Sequence, residues 1–225
     1  GKERDRIETV RMAELDQPRC PSVIRDGCMH VHDHLLGFES FFKPKAEALR
    51  DALNVQFPRS RILPFVRAAV PGDLQGDLVI DATGEEAASE SFNFHRLEKA
   101  EHSRPPLLHV WLLGNGECIQ SLWQDSRKYG CFRCLRGADA ARTPRFEALS
   151  TTGVIKRGAC QAFTPYAVSA PMSAAALAVD MIIDWLRSAE PSPRFRTRFT
   201  EASSLRKAKS QDLKPLSGCP ACGRR

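Results

Sequence analysis

"DLVIDATGEEAASESFN", residues 77–93, decides the fold. Leu78, Val79 and Ile80 form a short apolar run suited to a buried strand, and the run ends in the polar pair Asp81 and Thr83. A helix is expected to follow from about 86 to 101. Upstream, "KPKAEALRDALN" (43–54) sets strong helix formers around apolar Ala46, Leu49 and Leu53, with a proline in the first turn. "RILPFVRAAV" (61–70) reads as a strand. Downstream, "PLLHVWLLG" (106–114) and "ECIQSLWQ" (117–124) read as two strands joined by the turn dipeptide Asn115-Gly116, a hairpin signal. Strand, helix, strand and hairpin in that order predict an α/β fold: a Rossmann-like, mostly parallel sheet with helices on both faces and an antiparallel edge hairpin. Ligands on such sheets gather at the carboxyl ends of the strands, where "DATGEE" falls.

A chain of 225 residues with 42% hydrophobic content has enough apolar mass for one substantial core. The net charge of +6 is spread among acids over most of the chain, so charge alone does not point to nucleic acid. Two basic clusters stand out. "PRFRTRF" (193–199) alternates arginine with apolar residues, as a strand with a charged outer face would, and "LRKAKSQDLK" (205–214) reads as a solvated segment. The most apolar stretch, "APMSAAALAVDMIIDWLRSA" (170–189), carries Asp180 and Asp184, which suits a helix packed against protein better than a membrane span. No basic segment with an apolar run opens the chain and cysteines are few, so a reducing, cytoplasmic setting without membrane attachment is expected.

The cysteine spacing is the strongest local signal. "KYGCFRCLRG" (128–137) holds Cys131 and Cys134, and "CPACGRR" (219–225) repeats the spacing with Cys219 and Cys222. Two C-x-x-C turns supply four thiolates for a tetrahedral structural zinc, whereas a thioredoxin-like dithiol needs only one pair. The long interval between the pairs predicts a staple joining distant parts of one domain. The alternative is four unligated or disulfide-linked cysteines.

Taken in order, four segments resemble the ThiF/MoeB/HesA superfamily of ubiquitin-activating enzymes: "HLLGFESFFKPKAEALRDALN", "DLVIDATGEEAASESFN", "HVWLLGNGECIQSLWQDSRKYGCFRCL" and "KPLSGCPACG". The resemblance covers residues 31–225 and implies one adenylation domain there with a zinc-stapled C-terminus. Residues 1–30 are then a linker or the remnant of an upstream segment, with a weak helical stripe at Ile7, Val10, Met12 and Leu15. Family members use ATP and Mg2+ to adenylate the C-terminal glycine of a ubiquitin-like protein. The resemblance also implies a homodimer and a conjugating-enzyme-like partner or fused domain.

Residue by residue, it implies that Lys45 contacts the ATP phosphates, where a point charge stabilises developing charge, and that Asp81 lies near the nucleotide and Mg2+. Without the resemblance these are a solvated first-turn lysine and a strand-end or helix-capping carboxylate. Cys160, in "VIKRGACQAF", matches the catalytic-cysteine region of members that form a thioester; Lys156 and Arg157 favour its thiolate, while Gly153 and Gly158 offer hinges. On residues alone it is a buried, inert cysteine, as is Cys118 on its strand. The chain departs from the family pattern in three places. Gly84 stands where the family has its magnesium aspartate, Asp33-His34 replaces an arginine-histidine pair, and residues 1–30 do not spell a strand, G-x-G-x-x-G loop and helix. His30, His32 and His34 alternate as on a strand face, with metal binding weighed against ordinary surface or core positions. Three functions are therefore in play: an activating enzyme with a thioester at Cys160, a sulfur-carrier adenylyltransferase without one, and a non-catalytic zinc-stapled protein-binding module.

Overall fold

The computed structural model describes residues 9–14, 36, 40, 43–100, 103–114, 116–137, 155–157, 160–163, 166–188, 191–199 and 209–223. The chain divides into two compact units, residues 1–69 with 155–163, and residues 70–154 with 164–225.

In the first unit, strand β1 (Thr9–Glu14) runs parallel to β2 (Arg61–Ala68), with Thr9 opposite Arg61 and Ala13 opposite Phe65. Helix α1 (Lys45–Gln56) connects them along the chain and buries Ala46 and Ala48. Pro44 caps its start with φ of −52°, and the Ala48 N–H donates to the Pro44 carbonyl at 2.9 Å to open the helical ladder. Residues 9–14, expected within a helical stripe and a linker, thus form a strand. Val10 and Met12 also fit a period of two, and pairing with β2 supplies the ladder that a short isolated helix would lack. Later in the chain, β6 (Ile155–Arg157) and β7 (Cys160–Phe163) form an antiparallel pair.

The second unit is built on a four-stranded sheet. β3 (Val79–Asp81), helix α2 (Glu86–Glu98) and β4 (Leu107–Leu113) make a β-α-β unit with β3 and β4 parallel. β5 (Cys118–Gln124) returns antiparallel to β4, and β8 (Phe195–Phe199) adds antiparallel to β5. Among the described residues the sheet is therefore mixed rather than mostly parallel: β3 and β4 pair in parallel across the α2 crossover, the short turn between β4 and β5 allows only an antiparallel pair, and β8 joins β5 antiparallel. The hairpin has Leu113 opposite Cys118.

Strand alternation assigns the two faces. Leu108 and Val110 of β4 with Ile119 and Trp123 of β5 pack against Ala174, Leu177, Ala178 and Met181 of helix α4 (Ser169–Ser188). These helix positions recur at three- and four-residue steps, giving one apolar stripe. Leu177 and Met181 are 1% and 0% exposed, each contributing about 1.5–3 kcal/mol by burial. The opposite face buries Leu122 and Phe195 with Phe132 and Leu135 of the short helix α3 (Phe132–Leu135). α4 is long and apolar enough by composition to cross a membrane, yet its two aspartates are engaged by β8: Arg198 pairs with Asp180 at 2.7 Å and Arg196 with Asp184. Arg194, 3% exposed, donates to both Asp125 carboxylate oxygens. The arginines of "PRFRTRF", expected on a charged outer face, are thus matched by acids of the same unit.

Candidate metal centre and strand-end carboxylate

Each cysteine pair closes a tight turn. The Leu135 N–H donates to the Cys131 carbonyl at 3.1 Å, and the Gly223 N–H donates to the Cys219 carbonyl at 2.9 Å. A Cβ at residue 223 would stand 2.6 Å from the Cys219 carbonyl oxygen, so glycine is what lets the second turn close. The Sγ atoms are 3.8 Å apart for Cys131 and Cys134, 3.8 Å for Cys131 and Cys219, and 3.4 Å for Cys134 and Cys222. All four lie within 4.8 Å of one another. Thiolates about 2.3 Å from a tetrahedral zinc stand about 3.8 Å apart, so this donor set fits that metal.

The Leu216 N–H donates to the Cys134 sulfur at 3.3 Å, and Leu97, Phe94 and Ala221 enclose the cluster. In so apolar a setting four thiols without a cation do not all ionise. The hydrogen bond from Cys131 draws the Cys134 thiol down to about 4. That same bond raises the Cys131 thiol, and burial with the neighbouring Cys134 thiolate pushes Cys222 up to about 12. A divalent cation removes this conflict.

On the same side of the sheet, β3 ends in Asp81, whose carboxylate is saturated. Oδ1 accepts from the Thr83 hydroxyl at 2.7 Å and the Thr83 N–H at 3.1 Å. Oδ2 accepts from the Ser89 hydroxyl at 2.5 Å and bonds His109 Nδ1 at 2.7 Å. Asp81 and His109 are Cα partners in the parallel ladder, and their side chains are 1% and 0% exposed. Burial alone would raise the Asp81 carboxyl; the hydrogen bond and attraction from His109, with the Ser89 and Thr83 bonds, outweigh it and hold the group at about 2. The turn 82–85 is fixed by this carboxylate, with the Thr83 hydroxyl accepting the Glu85 N–H at 3.3 Å. At its apex Gly84 has φ of +70°, and a Cβ there would meet nothing within 4 Å, so the constraint on this residue is conformational.

The structure brings together Cys131, Cys134, Cys219 and Cys222, and it gathers His109, Ser89 and Thr83 on Asp81. Lys45 is the exposed first residue of α1 and belongs to the other unit. Cys160 opens β7 in that unit too, opposite Arg157 of β6. Cys118 is fully buried on β5. Cys20, Cys28, Gly153, Gly158, Asp33 and the three alternating histidines lie outside the described residues. Sequence reasoning did not single out His109. Its signal was a polar residue between Leu108 and Val110 in an otherwise apolar strand.

No family model matches the chain. Over 199 residues, 86% of its length, it is 30% identical to the ATP-dependent ubiquitin transferase-like protein Cap2 of Pseudomonas aeruginosa, and it spans 35% of that relative. Crystal structures of E. coli MccB share the fold. With succinimide the TM-score is 0.64 at 15% identity, covering 97% of this chain and 60% of MccB. With ATP it is 0.62 at 16% identity, covering 96% and 59%. The chain belongs to the ThiF/MoeB superfamily. As a ThiF/MoeB superfamily member it carries its strand-end aspartate as a buried anchor, followed by a glycine turn, and its four cysteines meet although 84 residues separate the two pairs (134 to 219). It spans about a third of Cap2, the relative matched along most of this chain.

Proposed function

We propose that this ThiF/MoeB superfamily chain contributes the adenylation domain of a ubiquitin-like modifier-activating enzyme, with that domain running over residues 31–225. The observation that carries the reading is 30% identity to Cap2 maintained over 86% of the chain. In the reaction, the modifier's C-terminal carboxylate attacks the α-phosphorus of ATP, the bond to the bridging oxygen breaks, and pyrophosphate leaves from the acyl-adenylate. Lys45, exposed at the start of α1, supplies a positive charge to the phosphates. Both Asp81 oxygens are engaged by hydrogen bonds, so Asp81 shapes the turn, and the exposed Glu85 would be the carboxylate there to hold Mg2+. The Cys160 thiolate then adds to the acyl carbon, AMP leaves with the bonding electrons, and a thioester results.

Cys131, Cys134, Cys219 and Cys222 would hold a structural zinc, which stabilises the fold and takes no part in the chemistry. A cytoplasmic homodimer, receiving a ubiquitin-like protein and handing it to a conjugating-enzyme-like partner, completes the proposal. The test is pyrophosphate exchange into ATP with candidate modifiers, followed by a non-reducing gel. Exchange with a dithiothreitol-sensitive adduct supports the full reading; exchange without an adduct supports the sulfur-carrier alternative. Absence of both, across modifiers from the protein's own genome, leaves a binding module.

A further inference from the structure

We propose that His109 is a positioning residue that couples the cysteine centre to the strand-end turn. Its Nδ1 holds Asp81 at 2.7 Å, while its ring packs against Phe132, the residue after Cys131, at 4.9 Å between centroids. The functional meaning rests on the adenylation reading, but the coupling itself does not. Two ion pairs also join the cysteine turn to α2, Arg133 with Glu90 at 2.6 Å and Arg136 with Glu86 at 2.5 Å, beside the apolar contact of Phe94 and Leu97 with the cluster. Arg133 is 43% exposed and Glu86 51%, and such pairs stabilise by less than about 1 kcal/mol. On their own these ion pairs hold the turn weakly.

The His109 route is different in kind. Both side chains of the His109–Asp81 pair are out of water, where hydrogen bonds to a charged group are strong and losing one partner is costly. The Asp81 carboxylate in turn receives both Thr83 donors, so the orientation of His109 fixes the backbone of residues 81–83. His109 Nε2 has no hydrogen-bond partner, which leaves the Asp81 bond and the Phe132 ring to set the imidazole plane. Phe132 is itself 3% exposed and pinned between two cysteines of the cluster. A shift of the cysteine turn on metal loss therefore has a route to Thr83 of one ring contact and one hydrogen bond, shorter than the path through Phe94 and Leu97 and along α2 to Ser89.

The direct measurement is hydrogen exchange of the Thr83 amide in the full-length protein, with the Ile119 amide in β5 as internal reference. His109→Leu is expected to speed Thr83 exchange about tenfold, whereas His109→Asn, whose side-chain amide replaces the Nδ1 donor, stays within about threefold of wild type. Removing metal with a chelator speeds Thr83 in the wild type and adds less than about twofold in His109→Leu, because both perturbations act through the same contact. Phe132→Leu, which retains an apolar side chain between the cysteines, gives about threefold with metal still bound. Equal acceleration by chelation in wild type and His109→Leu, or acceleration of Ile119 alongside Thr83, overturns the coupling; so does an asparagine variant as fast as the leucine one. In pyrophosphate exchange, His109→Leu lowers kcat about tenfold while the KM for ATP moves less than about threefold, and His109→Asn restores kcat. A wild-type protein without any exchange refutes the adenylation reading and leaves the amide data to judge the coupling.

Discussion

Replacing Asp81 separates a buried anchor from a metal ligand by stability alone. Asp81→Ala leaves the Ser89 hydroxyl, the His109 ring and the Thr83 hydroxyl without their shared acceptor. An orphaned buried polar group costs about 1–3 kcal/mol, and Thr83 is partly solvated, so the total is about 3–5 kcal/mol. Asp81→Asn keeps an acceptor and loses the charge. The folded carboxyl sits at about 2 against 3.8 ordinarily, and at about 1.4 kcal/mol per unit the ionised form adds about 2 kcal/mol near neutral pH. Because the folded value is depressed, this contribution is fully present above about pH 4 and is lost as pH falls toward about 2. Urea unfolding of wild type, Asp81→Asn and Asp81→Ala near neutral pH reads the ordering directly. A ligand waiting for Mg2+ would be released from repulsion or left unaffected by either change. An Asp81→Ala protein within about 1 kcal/mol of wild type refutes the anchor.

The cysteine centre gives a second outcome: one zinc per chain by elemental analysis, and Cys134→Ser or chelation lowering Tm by more than about 10 °C, since structural zinc contributes folding free energy. Protein purified without chelators and free of zinc contradicts it. Lys45→Ala is expected to lower adenylation about a hundredfold, roughly 3 kcal/mol in the transition state, while Tm stays within about 2 °C because the lysine is exposed. Unchanged exchange returns it to the solvated surface. Cys160→Ala should retain adenylation and lose the dithiothreitol-sensitive adduct; an adduct that persists places the nucleophile elsewhere.

The sequence was most legible where chemistry and periodicity coincide. The apolar run ending in Asp81, the α4 stripe and the paired C-x-x-C turns each fix a side-chain direction, and the structure has β3, α4 and the sulfur cluster there. Sheet polarity was less legible, since "PRFRTRF" shows that β8 is a strand but not that it adds antiparallel to β5. The polar inner face of α2 was also hidden. Ser89, Asn93 and Arg96 are buried because the sheet beneath them offers Asp81 and Gln124, and Arg96 donates to the Pro105 carbonyl. A helical period computed from apolar residues alone does not see such a face. β1 was missed for a related reason: Val10 and Met12 were absorbed into a weak helical stripe, and the pairing that makes them a strand joins residues 52 apart, Thr9 and Arg61.

The central claim, that this chain adenylates a protein C-terminus, is tested most directly by incubating the full-length protein with ATP labelled in the α-phosphate and a ubiquitin-like protein ending in glycine. The account predicts modifier-dependent formation of an acyl-adenylate with release of pyrophosphate, lost when the modifier's C-terminal glycine is removed. ATP consumption that is indifferent to the modifier, or no adenylate with any ubiquitin-like protein from the same genome, would contradict it.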